Sequence, residues 1–187
     1  MVLVTVCGIL MYSAYIEVRE IDIDRLNAEQ LIFAEQASRN IKKHFDRYFN
    51  ILEHLSKNQH IIGLDNNGKH IMTSFYEAHK HEIHSITLVD NNGKCIYSTP
   101  YNANIIGSDL SSQEHVQKLL QDHKPVLSDV FKSIQGIDSI AFHIPIFLEG
   151  TFHGSLGILI SFDHLARDSL EDIKIGGEGY AWVISRN

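Results

Sequence analysis

Between Ser85 and Phe162 the sequence alternates strand-forming segments with tight-turn signals, and a chain written this way has to build an antiparallel sheet. Ser85 to Asp90 and Lys94 to Pro100 meet at Asp90-Asn91-Asn92-Gly93 and form a first hairpin rich in β-branched and aromatic residues. Pro125 to Phe131, Asp138 to Phe147 and Thr151 to Phe162 supply three more strands, with Gln135-Gly136 and Glu149-Gly150 at the joints. Gly154 and Gly157 in the last strand predict a bend or a close backbone approach. The fold class implied is α+β, a five-stranded antiparallel sheet flanked by a long N-terminal amphipathic helix and short helices.

The helices are legible from their periods. From Asp24 to Gln59 the apolar residues Leu26, Phe33, Ala37, Ile41, Phe45, Tyr48, Leu52 and Leu55 recur mostly every three or four positions, with charged residues between them. This predicts one long helix packed on the sheet, with Asp22 or Asp24 available as N-cap. Ile71 to Ile83 predicts a second helix. In the segment from Asp109 to Leu120, Ser111 and Glu114 make the pattern of a capping box, while Val116, Leu119 and Leu120 form an inner stripe. A last helix runs from Asp163 to Ile173. The pentapeptide Asp-Asn-Asn-Gly-Lys occurs twice, at 65–69 and 90–94, and both copies read as turns, because Gly in fourth place does not fit a calcium loop.

The N-terminus admits two readings. Val2 to Ile16 carries no charge and is followed at once by Glu17, Arg19, Glu20, Asp22 and Asp24. A bilayer span needs about 20 apolar residues, so this run is either a buried strand or core helix, or the outer part of a transmembrane helix whose beginning is missing. The second reading places the rest of the chain outside the cytoplasm and gives the organisation: 1–16 partial transmembrane helix, 17–60 long amphipathic helix, and a sheet domain at 61–173.

Composition removes several function classes. A formal net charge of -7 without a Lys/Arg cluster argues against nucleic acid. Cys7 and Cys95 have neither metal-site nor redox-motif spacing. His79, His81 and His84 with Glu82 are the densest histidine group, but the two histidines that share a helix face are too few for a structural zinc site. No nucleophile elbow, phosphate loop or zinc-protease motif occurs, so an enzyme is not expected, nor is a cofactor.

The succession IGSDLSSQEHVQKLLQDHKPVLSDVFKSIQGIDSIAFHIPIFLEGTFHGSLGILISFDHLARDSL resembles the extracytoplasmic Cache sensor domains of bacterial and archaeal receptors, in the order and spacing of Gly107, Asp109, Leu110, Ser111, Lys124, Pro125, Ser128, Asp129, Pro145, Gly154 and Gly157. The resemblance implies a PAS-like sheet with a long helix along one side, in a histidine kinase or chemoreceptor. It also makes 174–187 look like the opening of a second, membrane-proximal module, and the chain like a fragment of a longer receptor.

Amino-acid-binding members of that family carry an Arg and an aromatic pair near the short helix, where this chain has Gln113, His115 and Val116. The carboxylate-gripping fork is therefore missing. By position, the resemblance nominates Tyr97, Tyr101, Gln113, His115, Asp129, Phe131, Ser139 and His143 as ligand contacts. Tyr97 and Phe131 have an alternative as core residues, and Asp129 as a turn residue. Ser139 and His143 share the more polar face of their strand with Ala141, opposite Ile140, Phe142 and Ile144. The expected partners are a small molecule, with organic acids and amines as candidate classes, the membrane through the N-terminal helix, and a second copy through the long helix. The competing reading is a ligand-free module that works by helix-mediated dimerisation.

Overall fold

The computed structural model describes residues 2–134 and 136–170. The expected second module at 174–187, the last turn of the final helix and Gln135 of one strand joint lie outside those residues.

Helix α1 is a single helix, Val2–Ser56, of 55 residues, about 80 Å long at 1.5 Å per residue. The apolar run and the amphipathic segment are thus one continuous element. Residues 5–32 are exposed on every side, and Phe33, Ala37 and Ile41 are the first to become part-buried or buried. The predicted stripe began at Leu26, which is exposed because the helix there extends past the sheet. Exposed ion pairs one turn apart, such as Arg25 with Glu29 and Lys42 with Asp46, line the outer surface and contribute only a few tenths of a kcal/mol each. Among the described residues, no helix is long and apolar enough to cross a membrane.

After the short α2 (Gln59–Ile62) comes α3 (Asn66–His79), five residues earlier than its apolar pattern suggested. The two copies of Asp-Asn-Asn-Gly-Lys separate here. At 65–69, Asp65 is the N-cap of α3 and its Oδ1 accepts from the Gly68 amide at 2.9 Å. At 90–94, Asp90 Oδ1 accepts from the amides of Asn92 and Lys94, at 2.9 and 2.8 Å, and closes a hairpin. One carboxylate bonding geometry serves both, and the flanking residues decide between a helix start and a strand turn.

The sheet is fully antiparallel, in the order β2-β1-β6-β5-β3, with β4 also paired to β5. Its strands are β1 (Ile83–Asp90), β2 (Cys95–Thr99), β3 (Val126–Leu127), β4 (Phe131–Lys132), β5 (Asp138–Leu148) and β6 (Thr151–Ser161). There are six strands instead of the expected five, because 125–131 does not run as one. The amide and carbonyl of Ala141 are met by the Oγ and amide of Ser128, at 2.8 Å each. A side chain thereby takes a place in the ladder, and the backbone arches off β5 until Phe131 pairs with Ser139. The β5–β6 hairpin turns at Glu149 and Gly150, whose φ values of 51° and 79° are those of the tight turn expected there.

Alternation along the strands gives the sheet two differently covered faces. Ile86 and Leu88 of β1, Ile140, Phe142 and Ile144 of β5, and Leu156, Ile158 and Ile160 of β6 pack with Tyr48 and Leu52 of α1, Ile61 and Met72. Phe49 of α1 stacks on Phe142 with ring centroids 6.3 Å apart. Each such fully buried side chain contributes about 1.5–3 kcal/mol. On the other face, Val89, Cys95, Ile105, Leu110 and Val116 form a smaller core under the segment 101–120. That segment is tied to β2 and its turn by the amides of Gly107 and Leu110, which donate to the carbonyls of Cys95 and Gly93 at 2.7 and 2.8 Å. Helix α4 (Glu114–Asp122) then lies over the sheet, and α5 (Phe162–Leu170) follows β6.

Candidate ligand-binding site

Helix α4 and the arch between β3 and β4 enclose a cleft of about 350 Å³, within the size range of small-molecule sites. It is lined from α4 by Gln113, Glu114, His115 and Lys118, and from the other side by Asp129 and Phe131. A second, much smaller cavity of about 40 Å³ lies deeper, against Thr87, Ser133 and His143, and shares Gln113, His115 and Phe131 with the first. His115 and Phe131 therefore form the partition between an open outer chamber and a narrow inner one.

Local chain geometry explains how these groups come to face the cleft. The expected capping box does not form: α4 starts at Glu114, its N-cap is Gln113, and no side-chain bond closes the cap. Ser111 is held instead by Asp109, whose Oδ1 accepts the Ser111 amide at 2.9 Å. The start of the helix is thus shifted along the chain, and the Gln113 side-chain amide is left for the cleft. His115, Val116 and Leu119 form the buried side of α4. Lys118 comes one turn after Glu114, with its Nζ 3.8 Å from Glu114 Oε1.

The floor of the site is a column of rings. Phe131 and His115 have centroids 4.9 Å apart, and His115 and His143 have centroids 5.5 Å apart. His143 lies over Gly157, its cross-strand partner, where a Cβ would overlap the imidazole. This is the close approach expected at that glycine. His143 Nδ1 shares a hydrogen bond with Ser155 Oγ at 3.1 Å. Burial pushes the His115 imidazole down to about 4. Burial, with a smaller contribution from His115, pushes His143 down to about 3. Both rings are neutral at pH 7, and each offers one donor and one acceptor. His115 is 7% exposed and its ring nitrogens make no hydrogen bond among the described residues.

Of the eight nominated contacts, Gln113, His115, Asp129 and Phe131 line the outer cleft, and His143 lines the inner cavity. The structure does not bring the other three there. Tyr97 pairs with Leu88, packs on the helix-side core and bonds Thr73 through its hydroxyl at 3.3 Å. A register shift at β2 turns it to that face. Tyr101 is 78% exposed in the loop after β2. Ser139 is fully buried beneath β4 and donates to the Ile137 carbonyl at 3.2 Å. Glu114 and Lys118 were not anticipated, although positions 114, 115 and 118 share one helical face. Ser128 was read only as part of a motif, and its place as a stand-in for ladder backbone leaves no trace in sequence.

A second polar cluster joins α1 to the start of β1. Glu82 accepts from Tyr48 Oη at 3.0 Å, makes an ion pair with Arg47, and lies 3.6 Å from His44 Nε2. Burial works against the ionised carboxyl, but Tyr48, Arg47 and His44 outweigh it and Glu82 stays below the ordinary carboxylate range. Glu82 is thus engaged with α1, and among the described residues no group of three or more His, Cys, Asp or Glu side chains is placed to hold a metal.

Comparison with known proteins places this fold in a family. A family model, the HK/GC/chemotaxis protein-like sensor domain, matches residues 45–161, more than half of the chain. The chain belongs to this family of sensor domains. A comparison with curated proteins found no match.

Among solved structures, the chain is similar to an extracellular ligand binding receptor from Desulfohalobium retbaense, with 24% identity, a TM-score of 0.60, and 74% of this chain against 26% of that one. It is similar to the sensor domain of the Vibrio cholerae histidine kinase DctB, with 16% identity, a TM-score of 0.61, and coverages of 76% and 58%. The ligand-binding domain of the Pseudomonas aeruginosa amino acid chemoreceptor PctC, in complex with GABA, gives 20% identity, a TM-score of 0.62, and coverages of 82% and 69%. These likenesses establish a PAS/Cache-like sensor fold. The chain spans about a quarter of the first of these structures and under three-fifths of the second.

Proposed function

We propose that this sensor domain works outside the cytoplasm in a membrane receptor of histidine kinase or chemoreceptor type, and that the cleft between α4 and the β3–β4 arch receives its small-molecule ligand. The observation that carries the reading is the pairing of a cleft of about 350 Å³ with a buried imidazole, His115, whose ring nitrogens have no partner among the described residues. Ring nitrogens that open on the cleft without such a partner are available to a ligand's polar groups. Signalling is then a shift between conformations that bind the ligand unequally. The exposed apolar residues of α1, among them Ile9, Leu10, Ile16 and Ile23, support attachment to a membrane or to a second copy through that helix.

The test is a thermal-shift screen of the full chain against organic acids, amines and nucleobases. A ligand at about 100 times its Kd adds roughly 2.7 kcal/mol of stability. His115→Phe keeps an aromatic ring and removes the nitrogens, so it should abolish the shift. A shift unchanged in that variant would move the site elsewhere, and no shift from any compound would favour a ligand-free dimerisation module instead.

A further inference from the structure

We propose that the cleft selects a small primary amine, a ligand that carries an ammonium group and no carboxylate. This rests on the sensor reading above and deepens it.

Three charged side chains line the outer chamber, Glu114, Lys118 and Asp129. Lys118 lies 3.8 Å from Glu114, so the one cation of the lining is already shared with a carboxylate on its own helix. Asp129, on the arch opposite, has no side-chain hydrogen bond and no ion pair among the described residues. The two histidines, buried in the ring column, are neutral and do not offset it. The lining thus carries one uncompensated negative charge, held on the arch across from α4.

A ligand carboxylate placed in this chamber would meet a lining of net negative charge, in which the Lys118 ammonium is balanced by Glu114 and Asp129 is not balanced. An ammonium would gain a charge-assisted hydrogen bond to Asp129. The body of such a ligand has a floor in the tilted rings of Phe131 and His115, whose π faces tolerate a nearby cation. The unpartnered nitrogens of His115 and the side-chain amide of Gln113, which makes no cap bond, are then available to a second polar group. The inner cavity of about 40 Å³ has room for little more than a water or a methyl group, so the ligand's bulk stays in the outer chamber.

The experiment is a thermal-shift and calorimetric titration of the full chain with butylamine, putrescine and phenylethylamine, set against the matched acids butanoate and phenylpropanoate. At least one amine should raise the melting temperature while neither acid does. Asp129→Asn, an exposed change that leaves the fold intact, should weaken amine binding about tenfold to hundredfold, and added salt should weaken binding to the parent chain. Binding of the acids, amine binding indifferent to Asp129→Asn, or no response to any of the three amines would each overturn the proposal. The sensor reading is judged separately: a different compound whose shift is lost in His115→Phe sustains it even when the amine class falls.

Discussion

Acid should loosen this domain through the ring column beneath the α4 cleft, and His115→Phe should remove a defined part of that effect. In the folded chain burial holds the His115 imidazole at about 4, while an unfolded imidazole titrates near 6.5. Between those values the unfolded chain takes up a proton that the folded chain refuses. The stabilisation is therefore complete well above pH 6.5, drains as the pH falls through that value, and stops draining once the folded ring also protonates near 4. At about pH 5 the proton-binding terms of the two states differ by a factor of roughly 30, or about 2 kcal/mol. His143, pushed lower still to about 3, adds a loss of similar size. Urea unfolding followed by circular dichroism at about pH 7.5 and about pH 5 measures the total in the parent chain. In His115→Phe the difference between the two pH values should shrink by about 2 kcal/mol, while the groups common to both proteins cancel. A variant that loses as much stability as the parent would show that His115 is not held neutral by burial, and the charge argument at the cleft would fall with it.

Other substitutions probe the supports of the site. Gly157→Ala places a methyl group against the His143 ring and should cost about 1–3 kcal/mol; combining it with His143→Ala should return part of that loss in urea melts, and a neutral Gly157→Ala would refute the contact. Tyr48→Phe removes the hydroxyl that donates to Glu82 and should cost about 1 kcal/mol, with a double-mutant cycle against Glu82→Gln giving a coupling that independent residues would not show. Asp65→Ala removes the N-cap of α3 and should cost about 1 kcal/mol, seen as earlier amide exchange in α3 and α2.

How much of the fold and cleft was legible in the sequence depended on whether the information was local. The β5–β6 turn could be placed to the residue because Glu149-Gly150 is a two-residue turn that sets Leu148 opposite Thr151, although the ladder shifts register once, between Ile146 and Phe147. The two faces of β5 followed from strict alternation, which put Ser139 and His143 opposite Phe142 and Ile144 as expected. What failed was non-local or bistable. The same five residues cap a helix at 65–69 and turn a hairpin at 90–94. The capping box at Ser111 lost to an Asp109 turn that docks on the first hairpin. The continuous strand 125–131 broke because the Ser128 hydroxyl met a backbone amide on β5. The last two shaped the site: one set where α4 begins, and the other made the arch that carries Asp129.

The cleft and the long helix are held on opposite faces of the same strands, so the proposed site is packed, through those strands, against α1. On β5, His143 faces the inner cavity, while its neighbours Phe142 and Ile144 face α1, with Phe142 stacked on Phe49. On β6, Gly157 lies under the His143 ring, and Leu156 and Ile158 on either side of it belong to the helix-side core. With no Cβ at Gly157, the imidazole rests directly on the backbone of a strand whose next side chains touch the core under α1. A ligand that tilts His115 toward or away from His143 therefore presses on β5 and β6 at the level where Tyr48, Phe49 and Leu52 pack. Close-packed interiors pass such displacements on because they have little free volume to absorb them. The expected reporter is Phe49, a part-buried residue in the last turns of α1: Phe49→Ala should leave the cleft residues in place, lower stability by about 1–2 kcal/mol, less than for a fully buried Phe, and reduce any ligand-induced change in amide exchange along α1. Unaltered propagation in that variant would show that the signal leaves the sheet elsewhere, through the Glu82 cluster.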